Sequence, residues 1–151
     1  MSLASLWLLS LTAASAAEPV GYTCCADRTV SAVMRAYLEL QGAVAAGKKN
    51  AYRHVAQLGR ELEDPGGLDP VDVAVFRDLT LLVNKLHKAD LDDIRADFVD
   101  ISRNVIFLSL RHEGGDLTVA EAWCPGRGAW LQTDLDELDD PWGVGCGEWR
   151  R

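Results

Sequence analysis

Apolar residues recur every three or four positions through most of the chain between Thr29 and Leu108, which is the spacing of one face of an α-helix. In the clearest example, the apolar face is formed by Leu91, Ile94, Phe98, Ile101, Val105 and Leu108. Three earlier segments repeat the pattern, and they cover residues 29–47, 51–62 and 69–86. Because each amphipathic helix must bury its apolar face, four helices with short connections predict an antiparallel four-helix bundle.

The start of the third helix carries clear signals of a helix N-terminus. Asp69 can accept hydrogen bonds from the first free backbone N–H groups, and Pro70 suits the first helical position. Asp72 adds an acidic side chain to the first turn, where the helix dipole favours it. The sequence therefore predicts a helix that begins at Pro70.

The chain changes character after Gly115. From Leu117 to Trp123, β-branched and apolar residues alternate with polar ones, which is typical of a strand. The stretch from Trp123 to Arg151, here called the cap, holds four of the five tryptophans and two of the four cysteines among turn-forming glycines. We therefore expect a mainly α protein, an antiparallel four-helix bundle with a C-terminal irregular or short β cap.

Residues 1–16 are small and apolar, and they end in Ala14-Ser15-Ala16, a pattern that signal peptidases accept. We expect a signal peptide that is cleaved after Ala16. Residues 17–151 would then form a single helical-bundle domain with a cysteine-framed cap, located in the periplasm or secreted. No later apolar run reaches the about 20 residues that span a bilayer, so no membrane insertion of the mature chain is expected.

Charge and motif content argue against several function classes. The formal net charge is −8, and no cluster of Lys and Arg is present that would bind nucleic acid or anionic lipid. The sequence also lacks a Gly-x-Ser-x-Gly elbow, a phosphate-binding glycine loop and a His-Glu-x-x-His motif. We therefore expect neither a nucleic acid partner nor catalytic residues.

In an exported protein, an even set of four cysteines indicates disulfide bonds. The candidates are Cys24, Cys25, Cys124 and Cys146. Adjacent residues have Cα atoms about 3.8 Å apart, below the usual disulfide span of about 4.4 to 6.8 Å, so a bridge between Cys24 and Cys25 is expected to be strained. The other two pairings join the N-terminal cysteines to the C-terminal ones, and these are the easier pairings.

The cap contains short motifs in a distinctive order, namely Cys124-Pro125, Gly128-Ala129-Trp130-Leu131, Asp140-Pro141-Trp142-Gly143 and Cys146-Gly147. Upstream, the pattern Arg-x-x-Phe-x-x-Ile-Ser is formed by Arg95, Phe98, Ile101 and Ser102. In these motifs the chain resembles a bacterial exported family of unknown function, whose members occur alone or fused to periplasmic adaptor subunits of copper and silver efflux pumps. The similarity extends over nearly all of the mature chain.

The resemblance implies a soft-metal site built from two cysteines and two methionines, since thiolate and thioether donors suit Cu(I) and Ag(I). Cys124 and Cys146 are therefore the candidate ligands for copper or another soft metal ion. Cys24 and Cys25 are secondary candidates.

The family's methionines are missing from this chain, because Gly126 and Val144 stand at their positions. Two hypotheses follow. The first is a non-catalytic metal-binding domain that acts in heavy-metal handling or efflux, with a metal-efflux adaptor as its partner. The second is a disulfide-stapled interaction or structural domain of the periplasm that binds no metal. Its tryptophans would lie in the core or on a surface that faces another periplasmic protein.

Overall fold

A computed structural model describes residues 17–150 of the chain. In chain order, its elements are β1 (Tyr22–Cys24), α1 (Arg28–Ala45), α2 (Tyr52–Glu61), α3 (Pro70–Lys85), α4 (Leu91–Arg111), β2 (Leu117–Cys124), β3 (Gly128–Gln132) and β4 (Glu148–Trp149). The predicted signal peptide, residues 1–16, lies outside the described residues. Within the described part, no helix is long and apolar enough to cross a membrane.

All four predicted helices are present, and three of them begin at an aspartate that accepts hydrogen bonds from the first turn. Asp69 accepts from the backbone N–H groups of Val71 and Asp72, so α3 begins at Pro70 as the sequence predicts. Asp27 and Asp90 have the same role for α1 and α4.

The prediction of a four-helix bundle with a short β cap is wrong. Of residues 17–150, 49% are helical and 14% belong to a four-stranded antiparallel sheet, which makes this a mixed α/β domain. The central strand β2 pairs with β3 on one edge, and with β1 and β4 on the other. The helices therefore bury part of their apolar surface against a sheet instead of only against each other, with α1 and α4 both packed on β3.

Tyr37 of α1 joins the helices to the sheet. Its hydroxyl lies 2.8 Å from the Ser102 hydroxyl of α4 and accepts a hydrogen bond of 3.1 Å from the backbone N–H of Leu131 in β3. The side chain is fully buried, and this burial raises the pKa of Tyr37 well above its usual range. The phenol therefore stays neutral and serves as a fixed link between three elements.

We predict that Tyr37→Phe lowers the free energy of unfolding by about 1 to 3 kcal/mol, because it leaves a buried N–H of the sheet without its partner. Urea denaturation measured by circular dichroism tests this. Tyr22→Phe is the matched control, since the Tyr22 hydroxyl also lies 2.6 Å from a serine hydroxyl, that of Ser109, but is only half-buried. An equal loss in the two variants would contradict the role given to Tyr37.

Candidate functional site

All four cysteines are in disulfide bonds, one between Cys24 and Cys25 and the other between Cys124 and Cys146. The expectation that the bridges join the N-terminal and C-terminal cysteines is wrong. The register of the sheet explains why, because Cys24 lies opposite Leu117 at the start of β2 and Cys124 is the last residue of that strand. At about 3.3 Å per residue, the two cysteine pairs are on the order of 20 Å apart.

The bridge between adjacent cysteines lies in a turn whose backbone is closely held. Cys25 has a φ of 92°, a conformation that L residues rarely adopt, and its N–H donates to the Gly114 carbonyl over 2.7 Å. Gly115 packs against this turn so closely that a Cβ there would lie 2.6 Å from the Cys24 carbonyl oxygen. The turn after β1 therefore needs a glycine in the connection between α4 and β2.

The second bridge lies in the cap, and the Cα atoms of Cys124 and Cys146 are 5.5 Å apart, within the usual disulfide range. Cys124 also begins the turn between β2 and β3, in which the Arg127 N–H donates to the Cys124 carbonyl over 3.0 Å. Pro125 and Gly126 are its central residues, and Gly126 has a φ of 76°, as in a type II turn. The glycine that stands where the resembled family has a methionine is thus the residue that this turn requires.

Four aromatic rings form a continuous buried chain between the helices and the cap. Tyr37 stacks on Phe98 with ring centroids 5.6 Å apart, and Phe98 meets the edge of Trp142 at 6.4 Å. Trp142 in turn packs edge to face with Trp130 at 5.7 Å. Gly147 lies against the Trp130 ring, where a Cβ would approach it to 3.0 Å. The motif residues Phe98, Trp130, Trp142 and Gly147 therefore belong to one core.

Arg95 of α4 holds the cap to the helices through the backbone. Its Nε donates to the Pro141 carbonyl over 2.8 Å, and its Nη2 donates to the Val44 carbonyl over 2.7 Å. Trp142 Nε1 donates back to the Arg95 carbonyl over 2.9 Å. Gly143 has a φ of 67° and leaves room for the guanidinium, because a Cβ there would lie 2.9 Å from Nη2. These contacts give a structural role to four motif residues, and no bound ligand is needed to explain them. The four are Arg95, Pro141, Trp142 and Gly143.

Two further residues shape the cap, and neither is predicted from the sequence as a site residue. Asp140 accepts hydrogen bonds from the N–H groups of Trp142, Val144 and Cys146 at 2.8, 2.8 and 3.2 Å. An aspartate before proline is a known turn former, so this role could have been predicted. Gln132 is buried and accepts from Trp130 Nε1 over 2.9 Å, and nothing in its sequence context indicates this.

The remaining predicted positions are accounted for by packing. Ser102 and Leu131 are buried, at the contact between α4, α1 and β3. Gly126 and Val144, which stand where the resembled family has methionines, line the same shallow depression of about 390 Å³ beside Trp142. The structure thus brings together the two positions that would carry thioethers, but neither residue has a donor atom in its side chain.

While Cys124 and Cys146 are joined in a disulfide, the residues of the cap do not fit a bound soft metal ion. The sulfur atoms of Cys124 and Cys146 are bonded to each other, so neither is a thiolate, which is the form that binds metal. Among residues 17–150, no group of three or more His, Cys, Asp or Glu side chains is arranged to hold a metal ion. The distance between the two disulfides also separates Cys24 and Cys25 from any site in the cap.

A charged cluster links the start of α3 to the end of α4. Asp72 is 2% exposed and accepts from Arg111 Nε over 2.7 Å and from His112 Nε2 over 2.8 Å. Hydrogen bonding to Asp72 raises the pKa of Arg111, and the backbone N–H of Asp72 lowers the pKa of Asp69. Because both carboxylate oxygens of Asp72 are occupied by these partners, we interpret the cluster as a structural link.

Comparison of the chain with models of protein families, with curated proteins and with solved structures finds no match. The family resemblance therefore stays a prediction from the sequence motifs. Inferences about function depend on the contacts described above.

We predict that Arg95→Ala lowers the free energy of unfolding by about 2 to 4 kcal/mol, because two half-buried backbone carbonyls lose a charged donor. Urea denaturation followed by tryptophan fluorescence measures this loss. Arg103→Ala on the same helix is the control, since Arg103 is exposed and pairs only with Asp100, and a change of about 0.5 kcal/mol or less is expected. Similar losses in both variants would contradict the role of Arg95 in holding the cap.

Proposed function

We propose that this protein is an exported, non-catalytic binding domain whose cysteines serve as structural disulfides. The observation that carries the proposal is that all four cysteines are paired with each other. Such bonds persist in oxidising compartments and are rare where thiols are kept reduced. Residues 1–16, with the pattern of a signal peptide, support the same location in the periplasm or outside the cell.

The use of polar side chains in the cap supports a scaffold role. Arg95, Gln132 and Asp140 all bind backbone groups of the cap, and each thereby helps to fix its conformation. Among residues 17–150, no buried side-chain nitrogen or oxygen lacks a hydrogen-bond partner. A catalytic or ligand-binding group often leaves such an atom for its substrate, so this pattern favours a rigid domain that presents its outer surface to partners.

The metal-binding alternative depends on reduction of the disulfide bond between Cys124 and Cys146. The Cα atoms of Cys124 and Cys146 are 5.5 Å apart, so after reduction the two thiolates would be adjacent and could bind a soft ion such as Cu(I) or Ag(I). They would lie beside the depression lined by Gly126 and Val144. In that case a metal-efflux adaptor is the partner that the family resemblance implies.

We predict that protein purified from the periplasm without reductant takes up no alkylating reagent under denaturing conditions, and that it takes up one equivalent at each of its four cysteines after reduction. Intact-mass spectrometry measures both. Titration of the unreduced protein with Ag(I) should give no stoichiometric complex. Cys124→Ser with Cys146→Ser is the control, and it should behave like the unreduced protein toward Ag(I). Free thiols or a bound metal in the unreduced protein would overturn the proposal.

A further inference from the structure

A groove on the described surface lies between α2 and α3, and no residue of the cap lines it. Its volume is about 800 Å³, which is within the range of small-molecule sites. Its floor is apolar and is formed by Val55, Ala56, Gly59 and Val83. The two helices pack tightly at Gly59, where a Cβ would lie 2.9 Å from Val83 Cγ1. The groove is therefore closed at its base by packing and open to solvent above.

The groove has a cationic end and a neutral end. Tyr52 and Arg53, at the start of α2, line it together with His87 and Lys88, which follow the end of α3. Because consecutive helices joined by a short connection run antiparallel as a rule, we infer that these residues lie at the same end. At the other end, the charges of Arg60 and Glu63 offset each other.

Arg53 and Lys88 supply the positive charge of the cationic end, and both are exposed. The whole chain has a formal net charge of −8, yet among residues 17–150 neither Arg53 nor Lys88 forms an ion pair. The first turn of α2 has no acidic residue, so the positive end of its helix dipole adds to the same potential. Asp90, near Lys88 in the chain, is occupied as the N-cap of α4.

We propose that this groove binds a free fatty acid, a single alkyl chain with one carboxylate. The chain would lie on the floor formed by Val55, Ala56 and Val83, and the carboxylate would lie at the cationic end near Arg53 and Lys88. The ten residues of α2 are about 15 Å long, which suits a medium-length alkyl chain. Ligand sites are mostly apolar with a few polar groups that fix orientation, and here the cations at one end would fix the carboxylate.

This inference goes beyond the proposed function, because the groove lies apart from both disulfides and does not depend on their oxidation state. Free thiols or bound metal would overturn the proposed function and leave the groove untouched. A failure to bind fatty acid would overturn only the inference about the groove.

The test is isothermal titration of the oxidised protein, without residues 1–16, with dodecanoate below its micelle concentration. We expect saturable binding of one equivalent. Dodecyltrimethylammonium, which has the same chain and the opposite charge, and acetate, which has the same head group and no long chain, should each bind at least about tenfold more weakly. Equal binding of dodecyltrimethylammonium would overturn the proposal, because the cationic end would then have no role.

Two groove variants locate the site. Arg53→Glu with Lys88→Glu reverses the charge of the cationic end, and Ala56→Trp fills the floor from an exposed helix position. Each should weaken dodecanoate binding by about tenfold or more. The matched control is Arg77→Glu with Arg103→Glu, which makes the same charge change at exposed positions outside the groove and should leave affinity unchanged. Circular dichroism confirms that each variant is folded.

Three outcomes would overturn the assignment. These are unchanged dodecanoate affinity in both folded groove variants, chemical-shift changes in the cap instead of in α2 and α3, and a dimer in light scattering that disappears in the Ala56→Trp variant. The last result would show that a second copy of the chain occupies the groove.

Discussion

The buried contact between Tyr37, Phe98 and the two tryptophans Trp130 and Trp142 holds the helices, the sheet and the cap in one structure. Tyr37 adds a hydrogen bond to β3, and Arg95 adds one to the Pro141 carbonyl of the cap and one to the Val44 carbonyl of α1. Because these side chains come from α1, α4, β3 and the loop before β4, none of those elements can bury its apolar surface without the others. Packing in this core therefore accounts for the residues found at the motif positions.

The cap disulfide complements this core. It joins residues separated by 22 positions, and closing a loop of that length stabilises a fold by roughly 3 kcal/mol in the chain-entropy account. The bond between Cys24 and Cys25 closes almost no loop, so its effect is confined to the turn after β1. The two bonds thus have different roles, although the sequence presents the four cysteines as a single set of disulfide candidates.

Short sequence patterns predicted the helices, which depend on residues close together in the chain. The periodicity from Leu91 to Leu108 predicted α4 and the cap at Asp69 predicted the start of α3, since each depends on neighbouring residues. The sheet was underestimated because β1 and β4 have only three and two residues, too few to show an alternating pattern. The disulfide pairing depended on the register of β2, which no local pattern reveals. Motif spacing located Arg95 and Trp142, but their contacts to the backbone required the three-dimensional structure.

The central claim is that the four cysteines form two separate bonds, one beside each end of β2, and that none is a free metal ligand. Proteolysis of the unreduced exported protein followed by mass spectrometry of the peptides tests this most directly. We predict one species in which the peptide with Cys124 is linked to the peptide with Cys146, and one unlinked peptide in which Cys24 and Cys25 have each lost a hydrogen. Any species that links Cys24 or Cys25 to Cys124 or Cys146 would contradict the account.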